Sequence, residues 1–122
     1  ITELYVENLD NADFIDKGKA DGRIVATGLY DKTLNLDGNF TFYTLPTVLS
    51  FSSELFWIIL NYEDQKEDNS STISIEVSLN NGVTYQAVTL GTLNKLTAGK
   101  IAIIKFTVSG KLSLYNFAYG LK

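Results

Sequence analysis

The chain has 122 residues, 45% hydrophobic and 20% charged, with a formal charge of -4 and a pI near 4.6. It has no cysteine and no histidine, which excludes disulfides, thiolate zinc sites, cysteine nucleophiles, Ser-His-Asp triads and imidazole metal sites. The basic residues are scattered, with only Lys17, Lys19 and Arg23 loosely grouped, so neither nucleic acid nor a membrane is an expected partner.

Length and composition suit a single domain with its own core. The chain opens at Ile1 rather than Met, so it is expected to be a processed product or a piece of a longer chain. Ile, Val, Thr, Tyr and Phe are plentiful and suit a pleated, half-buried surface. No stretch holds the i, i+3, i+4, i+7 apolar pattern of a helix for three turns.

In chain order, Glu3–Leu9 alternates as a strand, with Leu4, Val6 and Asn8 on one face. Asp10–Gly22 is a long polar loop that tucks Phe14 and Ile15 inward. Arg23–Tyr30 and Thr33–Leu36 are strands, and Asp37-Gly38 is a turn. Asn39–Thr44 puts Phe40 and Phe42 on one face, and Thr47–Ser53 does the same with Leu49 and Phe51. Leu55–Tyr62 is apolar at nearly every position, which predicts a central strand covered on both faces.

Thr72–Leu79 alternates cleanly, with Ile73, Ile75, Val77 and Leu79 inward and Ser74, Glu76, Ser78 and Asn80 outward. Asn81-Gly82 then fits a two-residue type I′ hairpin, because both central residues of that turn need φ > 0. The returning strand, Val83–Leu90, alternates poorly, as an edge or bulged strand would. Gly91–Lys100 reads as a connection, with a short helix-like stretch at Leu93–Ala98. Lys100–Val108 and Leu112–Leu121 close the chain across Ser109-Gly110, either paired or passing between sheets. Eight to ten strands around one core predict an all-β fold, an antiparallel, jelly-roll-like β-sandwich.

The densest carboxylate group is Glu63, Asp64, Glu67 and Asp68. Clustered oxygen ligands suit calcium, but the spacing is not that of an EF-hand and such loops are commonly just solvated. Asp10, Asp13, Asp16 and Asp21 present the same two readings. Among the acids placed on strands, Glu3, Glu7, Glu54 and Glu76, nothing marks a glycosidase pair, so no catalytic residue is expected. Exposed rings stack on sugars. Trp57 lies in the most apolar strand and is expected in the core; Tyr62, Tyr85, Tyr115 and Tyr119 are the candidates for a glycan platform.

Residues 77–85, VSLNNGVTY, followed by Val88-Thr89-Leu90 and the closing strand Leu112–Leu121, resemble a β-sandwich domain of bacteriophage virion proteins. In that family the hairpin reads VSRDGGTTY, and an apolar strand and acidic loop precede it, as they do here. The resemblance covers roughly residues 47–122; Leu79-Asn80 stands where the family has Arg-Asp, and residues 1–46 do not align. It implies a non-enzymatic structural or appendage role in a tailed-phage virion, as a decoration, neck, fibre or tail module. Expected partners are other virion proteins, copies of the chain in a homo-oligomer such as a trimer, and host surface glycans. The alternative is a carbohydrate-binding module with a structural calcium ion; otherwise no cofactor is expected. In either case Asn81 and Gly82 are a structural turn.

Overall fold

The computed structural model describes residues 3–19 and 32–122. The expected strand Arg23–Tyr30 and the carboxylate of Asp21 lie outside them. The described residues form eight antiparallel strands and no helix: β1 (Glu3–Glu7), β2 (Leu34–Asp37), β3 (Phe40–Tyr43), β4 (Thr47–Asp64), β5 (Thr72–Ser78), β6 (Gln86–Val88), β7 (Asn94–Ser109) and β8 (Lys111–Leu121). The fold is the all-β, antiparallel, sandwich-like one that the strand pattern predicts.

The hydrogen-bonded order is β1-β8-β4-β7-β5-β6, with β2 also on β8 and β3 also on β7. Strand β7 is the joint. Its first part, up to Ala102, pairs with β4; its last part, from Ile103, lies between β3 and β5. One layer is therefore β1 and β2, β8 and β4; the other is β3, the end of β7, β5 and β6. The layers face each other across aromatic rings. Phe106 of β7 and Phe117 of β8 belong to strands that do not pair, yet their ring centroids lie 5.2 Å apart, edge to face. Phe42 stacks on Phe106 at 4.7 Å. Phe42, Phe56, Phe106, Ile58 and Leu114 are fully buried, each contributing about 1.5–3 kcal/mol by leaving water.

Two bulges change which residues face this core. In β8 the large apolar side chains that face the core are Leu112 and Leu114, then Phe117, Tyr119 and Leu121. The pairing steps from Asn61↔Asn116 to Tyr62↔Leu114, so Tyr115 is the extra residue that flips the alternation. In β4 the register shifts between Ser53 and Leu55, and the inward set passes from Leu49 to Phe56 and Ile58. Buried Ser53 sits in that bulge, sharing its hydroxyl between the carbonyls of Leu55 and Lys122.

Several local expectations hold. Ile15 is buried and Phe14 partly so, Phe40 and Phe42 share the core face, and Ser109-Gly110 carries the chain from one layer to the other. Others need correction. The helix-like stretch 93–98 is not helical: Asn94 onward is strand, because the first half of β4 offers a partner along its length. The outer side of Leu55–Tyr62 is uncovered, with Ile59 44% exposed.

The turn at Asn81-Gly82 does have φ of 60° and 84°, and Val83 N–H reaches Asn80 C=O at 3.4 Å. It does not make a two-residue hairpin, however. The last β5–β6 pair is Val77↔Gln86, so residues 79–85 form a longer loop and β6 is only Gln86–Val88. Ser78, expected outward, is fully buried and organises that loop. Its Oγ accepts the N–H of Gly82 at 2.8 Å and donates to Asn80 Oδ1, which in turn accepts the Thr84 N–H at 2.9 Å.

Candidate functional site

The sequence-predicted residues do not converge. Tyr62 stands near the end of β4, 41% exposed, and Tyr115 is the bulge residue of β8. Tyr119 is 8% exposed and stacked between Tyr5 and Phe56, at 5.0 and 5.6 Å, so it offers no free ring face to a sugar. Tyr85 meets Tyr43 edge to face at 5.7 Å, and Lys19 and Lys105 approach the Tyr43 ring at 5.5 and 5.8 Å. Lys105 is itself held by Glu76 at 3.2 Å, which pushes its ammonium pKa up.

The acidic loop is used to shape itself. Asp64 Oδ1 accepts the Lys66 N–H and Oδ2 accepts the Ser71 N–H, both at 2.9 Å. Asp68 Oδ1 accepts the Ser70 N–H at 3.1 Å, and Glu63 takes the Gln65 side-chain amide. Hydrogen bonds to the charged form, led by that from Lys66, hold the Asp64 carboxyl below its ordinary 3.8, and those from Ser70 do the same for Asp68. Glu67 adds no third ligand: among the described residues, no three carboxylates gather around one point. In the first loop Asp10 pairs with Lys32, Asp13 with Lys17, and Asp16 Oδ1 accepts the Gly18 N–H.

Two surfaces on the β1 side do bring chemistry together. The first is the outer face of the β1–β8–β4 layer. Register aligns Val6, Ala118 and Ile59 in one row and Leu4, Gly120 and Trp57 in the next. Leu4 and Val6 are 59% and 60% exposed. Trp57, expected in the core, is half-buried on this face. The small residues of β8 thus lie between larger apolar walls on β1 and β4. Further along, the same layer turns polar, with Asn61 opposite Asn116 and Glu63 opposite Ser113.

The second surface is a cleft of about 220 Å³ at the rim of the sandwich, between β1 and residues 44–47. Tyr5, Phe14, Phe117 and Tyr119 supply aromatic walls, and Glu7 supplies a carboxylate. Glu3, Tyr5 and Glu7 share the side of β1 opposite Leu4 and Val6. The face of β1 that carries Leu4, Val6 and Asn8 is thus the exposed one. The reason is Tyr5, whose ring stacks on the buried Tyr119 and takes its two neighbours with it.

Glu3 is fully engaged: Oε1 accepts the Ser50 N–H at 3.0 Å and the Ser50 hydroxyl, and Oε2 accepts the Tyr5 hydroxyl. That bond pushes the Tyr5 phenol up to about 12. Tyr119 donates to Thr47 Oγ1 at 3.2 Å. Burial raises the Tyr119 phenol most; Thr47 offsets part of this, and Glu3 and Glu7 add to it. Glu7 spends Oε2 on the Leu9 N–H at 2.9 Å. Sequence reasoning missed this cleft because residues 5–7, 14, 44–47 and 117–119 meet only in the folded chain. No protein-family model matches the chain, and no curated protein or solved structure matches it.

Proposed function

We propose that this chain is a non-enzymatic structural domain that assembles with copies of itself through the outer face of the β1–β8–β4 layer. The observation that carries this is the uncharged patch, three strands wide and aligned in two rows, in which Leu4, Val6 and Ile59 are exposed and Trp57 and Ala118 half-buried around buried Gly120. Contiguous exposed apolar patches on soluble proteins commonly mark interaction sites. The chain carries -4 overall, so copies repel one another at a distance. These two rows hold no charge, so two copies can meet there without opposing like charges. The resemblance of residues 77–85 to phage virion sandwich domains supplies the setting we infer, a tailed-phage particle. No cofactor is needed for such a role.

Sedimentation tests this. The wild-type chain should form a discrete oligomer at high micromolar concentration. The Val6→Glu/Ile59→Glu pair should reduce it to a folded monomer, whereas Thr107→Glu, on the other layer, should leave assembly intact. A wild-type chain that stays monomeric up to about 1 mM, where only contacts weaker than about 4 kcal/mol would escape notice, overturns the proposal.

A further inference from the structure

The geometry points to the rim cleft as a receptor for one cationic side chain, a lysine or arginine presented by a basic protein partner. At about 220 Å³ it is smaller than the roughly 300–1,000 Å³ of most small-molecule sites, which suits a single side chain rather than an oligosaccharide. Its walls are rings: Tyr5 and Phe14 are half-buried and present surface, while Phe117 and Tyr119 close the floor. Aromatic faces attract an ammonium or guanidinium, and more strongly where water is excluded.

The carboxylates make the cleft selective for positive charge. Glu7 lines it and uses only Oε2 internally; Oε1 has no partner among the described residues. Glu3 stands two residues away, and both carboxylates act on the Tyr119 hydroxyl within the cleft wall. Among the described residues, no lysine or arginine pairs with either one, whereas Asp10, Asp13 and Glu76 each have a lysine. The complementary occupant therefore brings an apolar stem for the rings and a positive head for Glu7. A copy of this chain brings net negative charge to that rim, so the fitting partner is a different, basic protein. This site shares only Val6 with the outer face and stands whether or not the chain self-assembles.

The test uses small probes on the folded chain. In an amide-resolved NMR titration, n-butylammonium and n-butylguanidinium should give saturable shifts at Val6, Leu9, Leu45 and Thr47, and the neutral alcohol n-pentanol should bind about fivefold more weakly. Glu7→Gln keeps an acceptor for the Leu9 N–H and should weaken the cations about fivefold without changing the alcohol. Phe14→Leu, which removes a ring but keeps an apolar wall, should also weaken the cations selectively. Equal binding of alcohol and cation, cation binding unaffected by Glu7→Gln, or a methyl glycoside that takes the cleft in place of the cations would each overturn the inference.

Discussion

A methyl group on Gly99 would sit 1.8 Å from the carbonyl oxygen of Leu79 and 2.9 Å from the amide nitrogen of Asn80. That close approach lets Ile101 N–H bond Leu79 C=O at 3.0 Å and Asn81 N–H bond Ile101 C=O at 3.1 Å, so it anchors the 79–85 loop on β7. The obstacle is backbone, which cannot rotate away as a side chain can. Gly99→Ala should therefore cost about 3 kcal/mol, read by denaturant unfolding. Tyr5 offers a second single-residue prediction. Its phenol is raised to about 12, first by the hydrogen bond to Glu3 and then by burial, above the ordinary tyrosine value of 10.0 that the unfolded chain is expected to have. Between those values the folded state holds a proton that the unfolded state has lost. This stabilisation is complete below pH 10 and disappears as pH rises through about 12. In Glu3→Gln the anionic partner is gone, so one phenolate should appear at lower pH than in the wild type. Alkaline absorbance titration would read it, and coincident curves would contradict the assignment.

At the scale of elements, β7 carries the fold because it serves both layers. Phe106 lies just beyond the point where β7 changes partners, is fully buried, and touches Phe42 and Phe117 from the two layers. Phe106→Ala should destabilise by about 3–5 kcal/mol in thermal or denaturant unfolding, a large share of the roughly 5–15 kcal/mol that holds a domain together. Thr107→Ala, on the exposed side of the same strand, should stay within about 0.5 kcal/mol. The period-2 signal made β5 legible: Ile75, Val77 and Leu79 are all buried as their alternation predicted. The first half of β7 was not legible, since between Asn94 and Lys100 only Leu96 reaches the core. Alternation also identifies which residues share a face without saying which face is inside. In β1 the two aliphatic residues, Leu4 and Val6, are exposed while Tyr5 turns inward, because a partner ring waits at Tyr119. The bulges at Ser53 and Tyr115 hid the phase of β4 and β8 in the same way. The apolar outer face was visible in the sequence only as the unusual run Leu55–Leu60, and that run reads equally as a strand buried on both sides.

For the whole molecule, the two β1 surfaces should answer salt with opposite signs. The chain carries -4, so bringing copies together opposes like charge, yet the face proposed to join them is neutral in both rows. Raising ionic strength from about 0.01 M to about 1 M shortens the Debye length from about 30 Å to about 3 Å, which removes the long-range repulsion. It also strengthens neither ion pairs nor their steering, while apolar contact is left at least as favourable. Self-association should therefore tighten with salt. The rim cleft should behave the other way, because its ligand is drawn by the Glu7 carboxylate, which no described lysine or arginine pairs, and its neighbour Glu3, both partly open to solvent. Binding of n-butylammonium should weaken over the same range, while n-pentanol should not. Sedimentation and NMR titration on the same samples separate the two effects. If self-association weakens as salt rises, charge pairs and not the Leu4–Val6–Trp57–Ile59 surface hold the copies together. If the ammonium is indifferent to salt, the cleft reads shape and not charge.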